Sequence, residues 1–252
     1  MSESAIRIAA LLPDVLGTYS DRGNVTVLSQ RARWRGLQVE ETVVLAGSTP
    51  PVDCDLYLLG GGEDAAQQYA AEWFRDHRQL GATLAERATT LAICAGLQVL
   101  GEWMQDSSGT RTAGAGILPL TTTAGTKRAV GEVVSECGMP GVGLLTGFEN
   151  HMGRTTLAAG VAPLGRTLSG VGNGGGDGGV DGVLTSTVVG TYMHGPVLAR
   201  NPALADALLQ KVTGEPLPPL DLPDQEAVRR IRLGDGAAAR PRRGRLGAAR
   251  RS

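Results

Sequence analysis

Covalent chemistry at neutral pH falls to few residues in this chain: three cysteines (Cys54, Cys94, Cys137) and three histidines (His77, His151, His194). Cys94 has the most informative neighbourhood. Leu91 to Ile93 read as the end of a short buried strand, and Ala95 to Met104 as the helix that follows. A thiol at such a turn faces the open N–H groups and partial positive charge of a helix start, which favour thiolate. Ala92, Ala95 and Gly96 are small enough for a sharp turn that pushes the side chain out of the sheet. The alternative is a buried cysteine acting as a small hydrophobe.

A nucleophilic thiol needs a base. His77 sits among Arg75, Asp76 and Arg78 and reads as part of a solvated helix face. His151 follows Phe148-Glu149-Asn150 at the end of a strand. His194 follows the run Val188 to Tyr192 and precedes Gly195-Pro196. Functional groups of open α/β sheets collect at the carboxyl ends of strands, where this reading puts both Cys94 and His194. A Cys–His pair there suits nucleophilic acyl transfer, although a histidine after a strand is also a common structural hydrogen-bonding residue. Acyl transfer further needs donors for an oxyanion. Gly60-Gly61-Gly62, after another strand, lets backbone N–H groups approach a substrate, and the N–H of Ala95 is a second donor.

These residues must be carried by a scaffold. Ile6 to Leu12 read as a first strand, ended by Pro13; Asn24 caps a helix ending near Arg35-Gly36; Leu37 to Leu45 form a second strand and Asp55 to Leu59 a third. Glu63-Asp64 open a long helix to about Arg87, broken at Gly81, and Thr89 to Ile93 form a fourth strand. Alternating strands and helices argue for a parallel sheet with crossover helices. Beyond Gly101 the runs Ala129 to Ser135 and Val142 to Phe148 look antiparallel or added at an edge. Gly170 to Gly182 hold eight glycines in thirteen residues and predict a mobile loop. Val183-Leu184 and Val188 to Tyr192 are late strands; Asn201 and Pro202 start a last helix with Leu204, Ala205, Leu208 and Leu209 inward.

At 252 residues, with 42% hydrophobic content, the chain supports one domain of about 200 residues and a tail. The expected division is a domain over 1–215 and a tail over 216–252, Pro-rich, then Arg/Ala/Gly-rich and largely disordered. Nine arginines against Glu226 and Asp235 make residues 226–252 net +7, leaving −8 on the rest. An odd number of cysteines without metal or disulfide spacing, no signal peptide and no long apolar run predict a cytoplasmic protein with no metal.

Leu59-Gly-Gly-Gly-Glu63, Ile93-Cys-Ala-Gly-Leu-Gln98 and Gly190-Thr-Tyr-Met-His-Gly-Pro196, in that order, resemble the class I glutamine amidotransferases. Gly147-Phe-Glu-Asn-His-Met-Gly-Arg-Thr155 narrows the resemblance to the cobyric acid synthase-like (CobB/CobQ-like) branch. Tyr19-Ser-Asp-Arg-Gly-Asn24, with no fused synthetase domain, is similar to the stand-alone glutaminase subunits of lipid II isoglutaminyl synthase, the GatD type. The resemblance covers about residues 5–215. It implies a flavodoxin-like three-layer α/β/α fold with a mostly parallel central sheet and added antiparallel strands. It implies Cys94 as nucleophile, His194 as proton carrier, an oxyanion hole from Gly61, Gly62 and Ala95, and substrate contacts from Arg128, Gln98, Asn150 and His151. Arg128 is chosen over Lys127 because a planar guanidinium grips a carboxylate with two hydrogen bonds. Gln98 either touches substrate or braces the turn. No cofactor is implied on this chain. ATP and Mg belong to the implied partner, a Mur-ligase-like (MurT-type) subunit that forms a heterodimer with it and reaches lipid II.

Two departures stand out. Most class I glutaminases carry Glu two residues after the catalytic histidine, where this chain has Pro196, so the expectation is that the third catalytic group comes from the partner subunit. Ala92 stands where many relatives have Gly. Rival readings are the glutaminase of another amidotransferase, a stand-alone γ-glutamyl hydrolase, and an inactive scaffold. The arginine-rich tail reads as solvated, with anionic lipid or nucleic acid as lesser alternatives; a place at the inner face of the membrane would follow from the first.

Overall fold

The computed structural model describes residues 5–18 and 21–233. The chain separates into Met1–Leu220 and Asp221–Ser252.

In the first unit the elements follow as β1 (Ile6–Leu11), α1 (Gly23–Arg33), β2 (Val39–Val44), β3 (Leu56–Leu59), α2 (Asp64–Asp76), α3 (Arg78–Glu86), β4 (Thr89–Ile93) and α4 (Ala95–Val99). Then come β5 (Trp103–Gln105), β6 (Arg111–Ala113), β7 (Leu120–Cys137), β8 (Leu144–Leu157), β9 (Gly165–Ser169), β10 (Val180–Asp181), β11 (Val183–Leu184), β12 (Val188–Thr191), α5 (Val197–Arg200) and α6 (Pro202–Thr213). The central sheet runs β11-β12-β4-β3-β1-β2, parallel throughout except for the antiparallel β11. Strands β3, β4 and β12 are buried at every residue. A strand covered on both faces loses its polar alternation, which is why these segments read as continuous apolar runs with a few threonines. Helix α1 packs with α5 and α6, and α2 with α3 and α4, giving the α/β/α layering expected from the sequence. Arg31 grips Asp206 of α6 through two hydrogen bonds of 2.7 Å, and Arg35 adds a third at 2.9 Å, pinning α1 to α6.

The sheet register positions the site. Leu59 pairs with Ala92, and Ile93 with Thr191, so β3, β4 and β12 end side by side. Gly60–Gly62, Cys94 and His194 therefore emerge along one edge.

Several elements depart from expectation. The helix after Cys94 ends at Val99, not Met104. Trp103–Gln105 instead form β5, which runs parallel to Thr121–Thr123 of β7. Long strands β7 and β8 pair antiparallel, one of the two expected arrangements, but in a second sheet with β5, β6, β9 and β10 and not at the edge of the first. The long helix breaks at His77, not Gly81: His77 has φ −112° and ψ 53°, and its Nδ1 lies 2.8 Å from Trp73 O. Asn24 lies inside α1, where its side chain donates to Asp21 O at 2.9 Å rather than capping the helix. The start of the glycine-rich loop is tied down, since Glu149 accepts hydrogen bonds from Val171 N (2.7 Å) and Gly172 N (2.9 Å).

In the second unit, within the Pro-rich part of the expected tail, helix α7 (Pro223–Leu233) forms with no buried residue. The arginine-rich stretch after it, residues 234–252, lies outside the described residues. Among the described residues no helix is long and apolar enough to cross a membrane, and no group of three His, Cys, Asp or Glu could hold a metal ion.

Candidate active site

Cys94 occupies the turn between β4 and α4 with φ 47° and ψ −103°. Among the described residues only Leu12 shares its positive φ outside glycine. Such backbone costs on the order of 1–3 kcal/mol and persists only where the surroundings hold it. Here Cys94 N donates to Thr191 O at 2.8 Å, Cys94 O accepts from Gln98 N at 3.1 Å, and Gly96 N donates to Gly60 O at 3.1 Å. Gly96 must lack a side chain, because a Cβ there would sit 2.7 Å from Leu59 Cβ. The strain lifts the thiol onto a cavity of about 260 Å³ whose walls include Gly62, Glu63, Cys94, Gln98, Arg128, Asn150, His151 and His194. The structure thus brings the expected Cys–His pair and the expected substrate residues to one cavity.

His194 is held from both directions. Its backbone N donates to Phe148 O at 2.7 Å, joining the end of β12 to β8. Its ring is buried, and Nδ1 lies 3.1 Å from Asp21 Oδ2. Burial works against a charged ring, but hydrogen bonds to Asp21 and Cys94 outweigh it and push His194 from 6.5 up to about 10. The thiol and imidazole are therefore placed to exchange a proton.

Asp21 corrects the expectation that the site lacks an acid of its own. Pro196 indeed offers none, but the loop after β1 delivers a carboxylate from the far end of the sequence. Sequence reasoning missed it because its link to His194 spans 173 positions. The signal available was position alone: Asp21 follows β1, at the same sheet edge as the other groups.

The oxyanion reading is corrected in one residue. Gly61 N already donates to Asp21 Oδ2 at 2.8 Å and is not a donor to substrate. The N–H groups of Gly62 and Ala95 donate to no other described residue and remain placed for the task. Gly61 is required for a different reason: a Cβ there would run into His194 Cε1.

The second sheet supplies the opposite wall. Between Ala124 and Ala129 the β7–β8 register slips, so residues 125–128 bulge out of the ladder. Arg154 clasps that bulge, donating to Lys127 O (2.6 Å), Met152 O (3.1 Å) and Gly153 O (2.9 Å). Arg128 projects from it, donates to Asn150 Oδ1 at 2.8 Å and lies 3.9 Å from Glu63. Its side chain stays 44% exposed at the cavity mouth, a ready cation for a ligand carboxylate.

Gln98 and His151 line the cavity and are also tied into its wall. Gln98 Nε2 donates to Tyr192 OH at 2.9 Å, and Tyr192 OH lies 2.6 Å from Thr155 Oγ1. His151 stacks on Tyr192 at 4.0 Å between centroids, with Nδ1 3.0 Å from Gly153 O and Nε2 3.2 Å from Glu149 Oε2. With both ring nitrogens engaged by the protein, His151 shapes the wall and does not bind substrate through its ring. Beneath it, fully buried Asp181 is pushed up to about 6 by burial, against hydrogen bonds from Thr191 and Tyr192 N–H.

A family model, CobB/CobQ-like glutamine amidotransferase domain, matches residues 7–202. The chain is 34% identical to the lipid II isoglutaminyl synthase (glutamine-hydrolyzing) subunit GatD of Staphylococcus aureus, over 88% of this chain and 91% of that one. It is 33% identical to the GatD subunit of Streptococcus pneumoniae, over 81% of this chain and 79% of that one. Among solved structures, a glutamine amidotransferase superposes with a TM-score of 0.54 at 16% identity, over 82% of this chain and 98% of the other; this likeness speaks to fold.

Proposed function

Because this chain belongs to the CobB/CobQ-like glutamine amidotransferase family, we propose that it is the glutaminase subunit of a lipid II isoglutaminyl synthase. It hydrolyses L-glutamine and passes the ammonia to a Mur-ligase-like (MurT-type) partner in a heterodimer. The partner, using ATP and Mg, amidates the α-carboxyl of D-glutamate in the lipid II stem peptide. The observation that carries this reading is the match to two GatD subunits, over 91% and 79% of their lengths, in a chain whose Cys94, His194 and Arg128 share one cavity. That acceptor places the protein in the cytoplasm, at the inner face of the membrane.

The proposed chemistry uses the groups on the cavity wall. With the proton already held on His194, the Cys94 sulfur adds to the side-chain amide carbon of glutamine. The carbonyl electrons move to oxygen, which the Gly62 and Ala95 N–H groups stabilise. His194 returns the proton to the amide nitrogen, the C–N bond breaks, and ammonia leaves a γ-glutamyl thioester on Cys94. Water, deprotonated by His194, then breaks the C–S bond, releasing glutamate and regenerating the thiol. Arg128 holds the substrate α-carboxylate with Asn150 steadying the guanidinium.

Arg128→Met should raise KM for glutamine by about 10²-fold with kcat within about threefold, since the grip is equal in ground and transition states. Steady-state ammonia release measures both constants. The function itself is tested by supplying amide-¹⁵N-glutamine, ATP, lipid II and the co-purified Mur-ligase-like protein. The expected result is ¹⁵N in the α-amide of the D-glutamyl residue. Glutamine consumed with label in another acceptor, or only in free ammonia, would overturn it.

A further inference from the structure

We propose that Asp21 is a positioning residue that holds the His194 imidazole and the Gly61 peptide in one working arrangement, so that the reactive site is assembled within this chain. The inference rests on the glutaminase reading above and specifies what orients its proton carrier.

One carboxylate takes three donors. Oδ2 accepts from Gly61 N at 2.8 Å and lies 3.1 Å from His194 Nδ1; Oδ1 accepts from Gly195 N at 3.3 Å. The His194 and Asp21 side chains are each 1% exposed. A carboxylate this deep is stable only if its hydrogen bonds are filled and its charge is answered, and a protonated imidazole does both. Engaging Nδ1 fixes the ring so that Nε2 is the nitrogen that exchanges the proton with sulfur. The same oxygen fixes Gly61, whose peptide precedes the Gly62 N–H left for the oxyanion.

The carrier of Asp21 is anchored to its targets on all sides. Thr18 N donates to Gly61 O at 3.2 Å. Asn24 Nδ2 donates to Asp21 O at 2.9 Å, while Asn24 Oδ1 accepts from Leu198 N at 3.0 Å, in the short helix directly after His194. Gly23 lies so close to the Pro196 ring that a Cβ would run into its Cγ. Pro196, at the position where an acid would otherwise stand, packs against the very segment that brings an acid in from the other side. Among the described residues, Asp21 and Cys94 are the titratable groups that act most strongly on the His194 ring.

The test compares the full-length chain with Asp21→Asn, which keeps size and one acceptor oxygen, and with Asp21→Glu, which keeps charge. In Asp21→Asn, kcat should fall about 10²–10³-fold with KM within about threefold. The alkaline limb of kcat/KM should move at least one pH unit toward acid, about what removing one charge-assisted hydrogen bond does. The sign follows from the charge: without the carboxylate, His194 gives up its proton at lower pH. Asp21→Glu should recover part of kcat and the wild-type limb. An Asp21→Asn enzyme with the wild-type kcat and limb would overturn the proposal. Imidazole ¹⁵N NMR of the wild-type chain reads the same contact without turnover and without relying on a folded variant. His194 should stay protonated to about pH 10; titration at an ordinary histidine value would overturn the proposal. A wild-type chain that shows the NMR signature yet releases no ammonia from glutamine contradicts the substrate reading and leaves the Asp21 assignment standing.

Discussion

Cys94→Ala abolishes ammonia release from glutamine, a loss of about 10⁴-fold or more, because no other group on the cavity wall can form the thioester. Cys54 and Cys137 cannot substitute. Burial raises the pKa of both thiols, and neither lies on the cavity wall. Synthesis by the partner complex should survive when free ammonia is supplied in place of glutamine. A scaffold would keep glutamine-dependent synthesis, so that outcome would contradict the assignment. The backbone adds a second readout. Ala keeps the cost of φ 47° that Cys94 bears, whereas Gly does not. Cys94→Gly should therefore be more stable than Cys94→Ala by on the order of 1 kcal/mol, and melt at a higher temperature. Equal melting of the two would mean that the turn is not strained.

Gly61→Ala should damage activity because it places a methyl directly against the His194 ring. The new Cβ would run into His194 Cε1 and sit 3.2 Å from Asp21 Oδ2. The ring cannot retreat, since His194 is 1% exposed and its backbone is bonded to Phe148. We expect a kcat loss of about 10²–10³-fold from a misplaced imidazole, with a folded protein. Gly81→Ala is the matched control. Its Cβ meets nothing closer than Ile117 at 3.8 Å, so activity should be unchanged. Helix α3 should gain up to about 1 kcal/mol from that exchange. Steady-state kinetics and thermal melting of the two variants check both statements. Equal activity of Gly61→Ala and Gly81→Ala would show that Gly61 and His194 are not packed as described.

The parts of this site that were legible in the sequence are those where local pattern and chemistry coincide. The strand ending at Ile93, with small residues around Cys94, already encodes a strand–turn–helix nucleophile. The run ending at Tyr192 places His194 without help from anything distant. What was not legible depends on register and on long-range pairing. Asp21 meets His194 only because β1 and β12 belong to one sheet, and no spacing rule links positions so far apart. The ties of His151 to Glu149, Gly153 and Tyr192 were not legible because a linear reading cannot turn those groups toward it. Gly61 was recognised as necessary, but as a donor to substrate. Its N–H in fact serves Asp21, and its missing side chain serves His194. The extent of the helix after Cys94 was overestimated because β5 is drawn into a ladder with β7 that competes with local helix propensity.

The central claim, that this chain opens glutamine by attack of Cys94, is tested most directly with a glutamine analogue carrying a diazoketone in place of the amide. The chain is incubated with the analogue, residual ammonia release is followed, and the modified protein is digested and mapped by mass spectrometry. The account predicts one thioether on Cys94, formed in step with the loss of activity and prevented by excess glutamine. Loss of activity with the label elsewhere, or ammonia release that persists once Cys94 is fully alkylated, would contradict it.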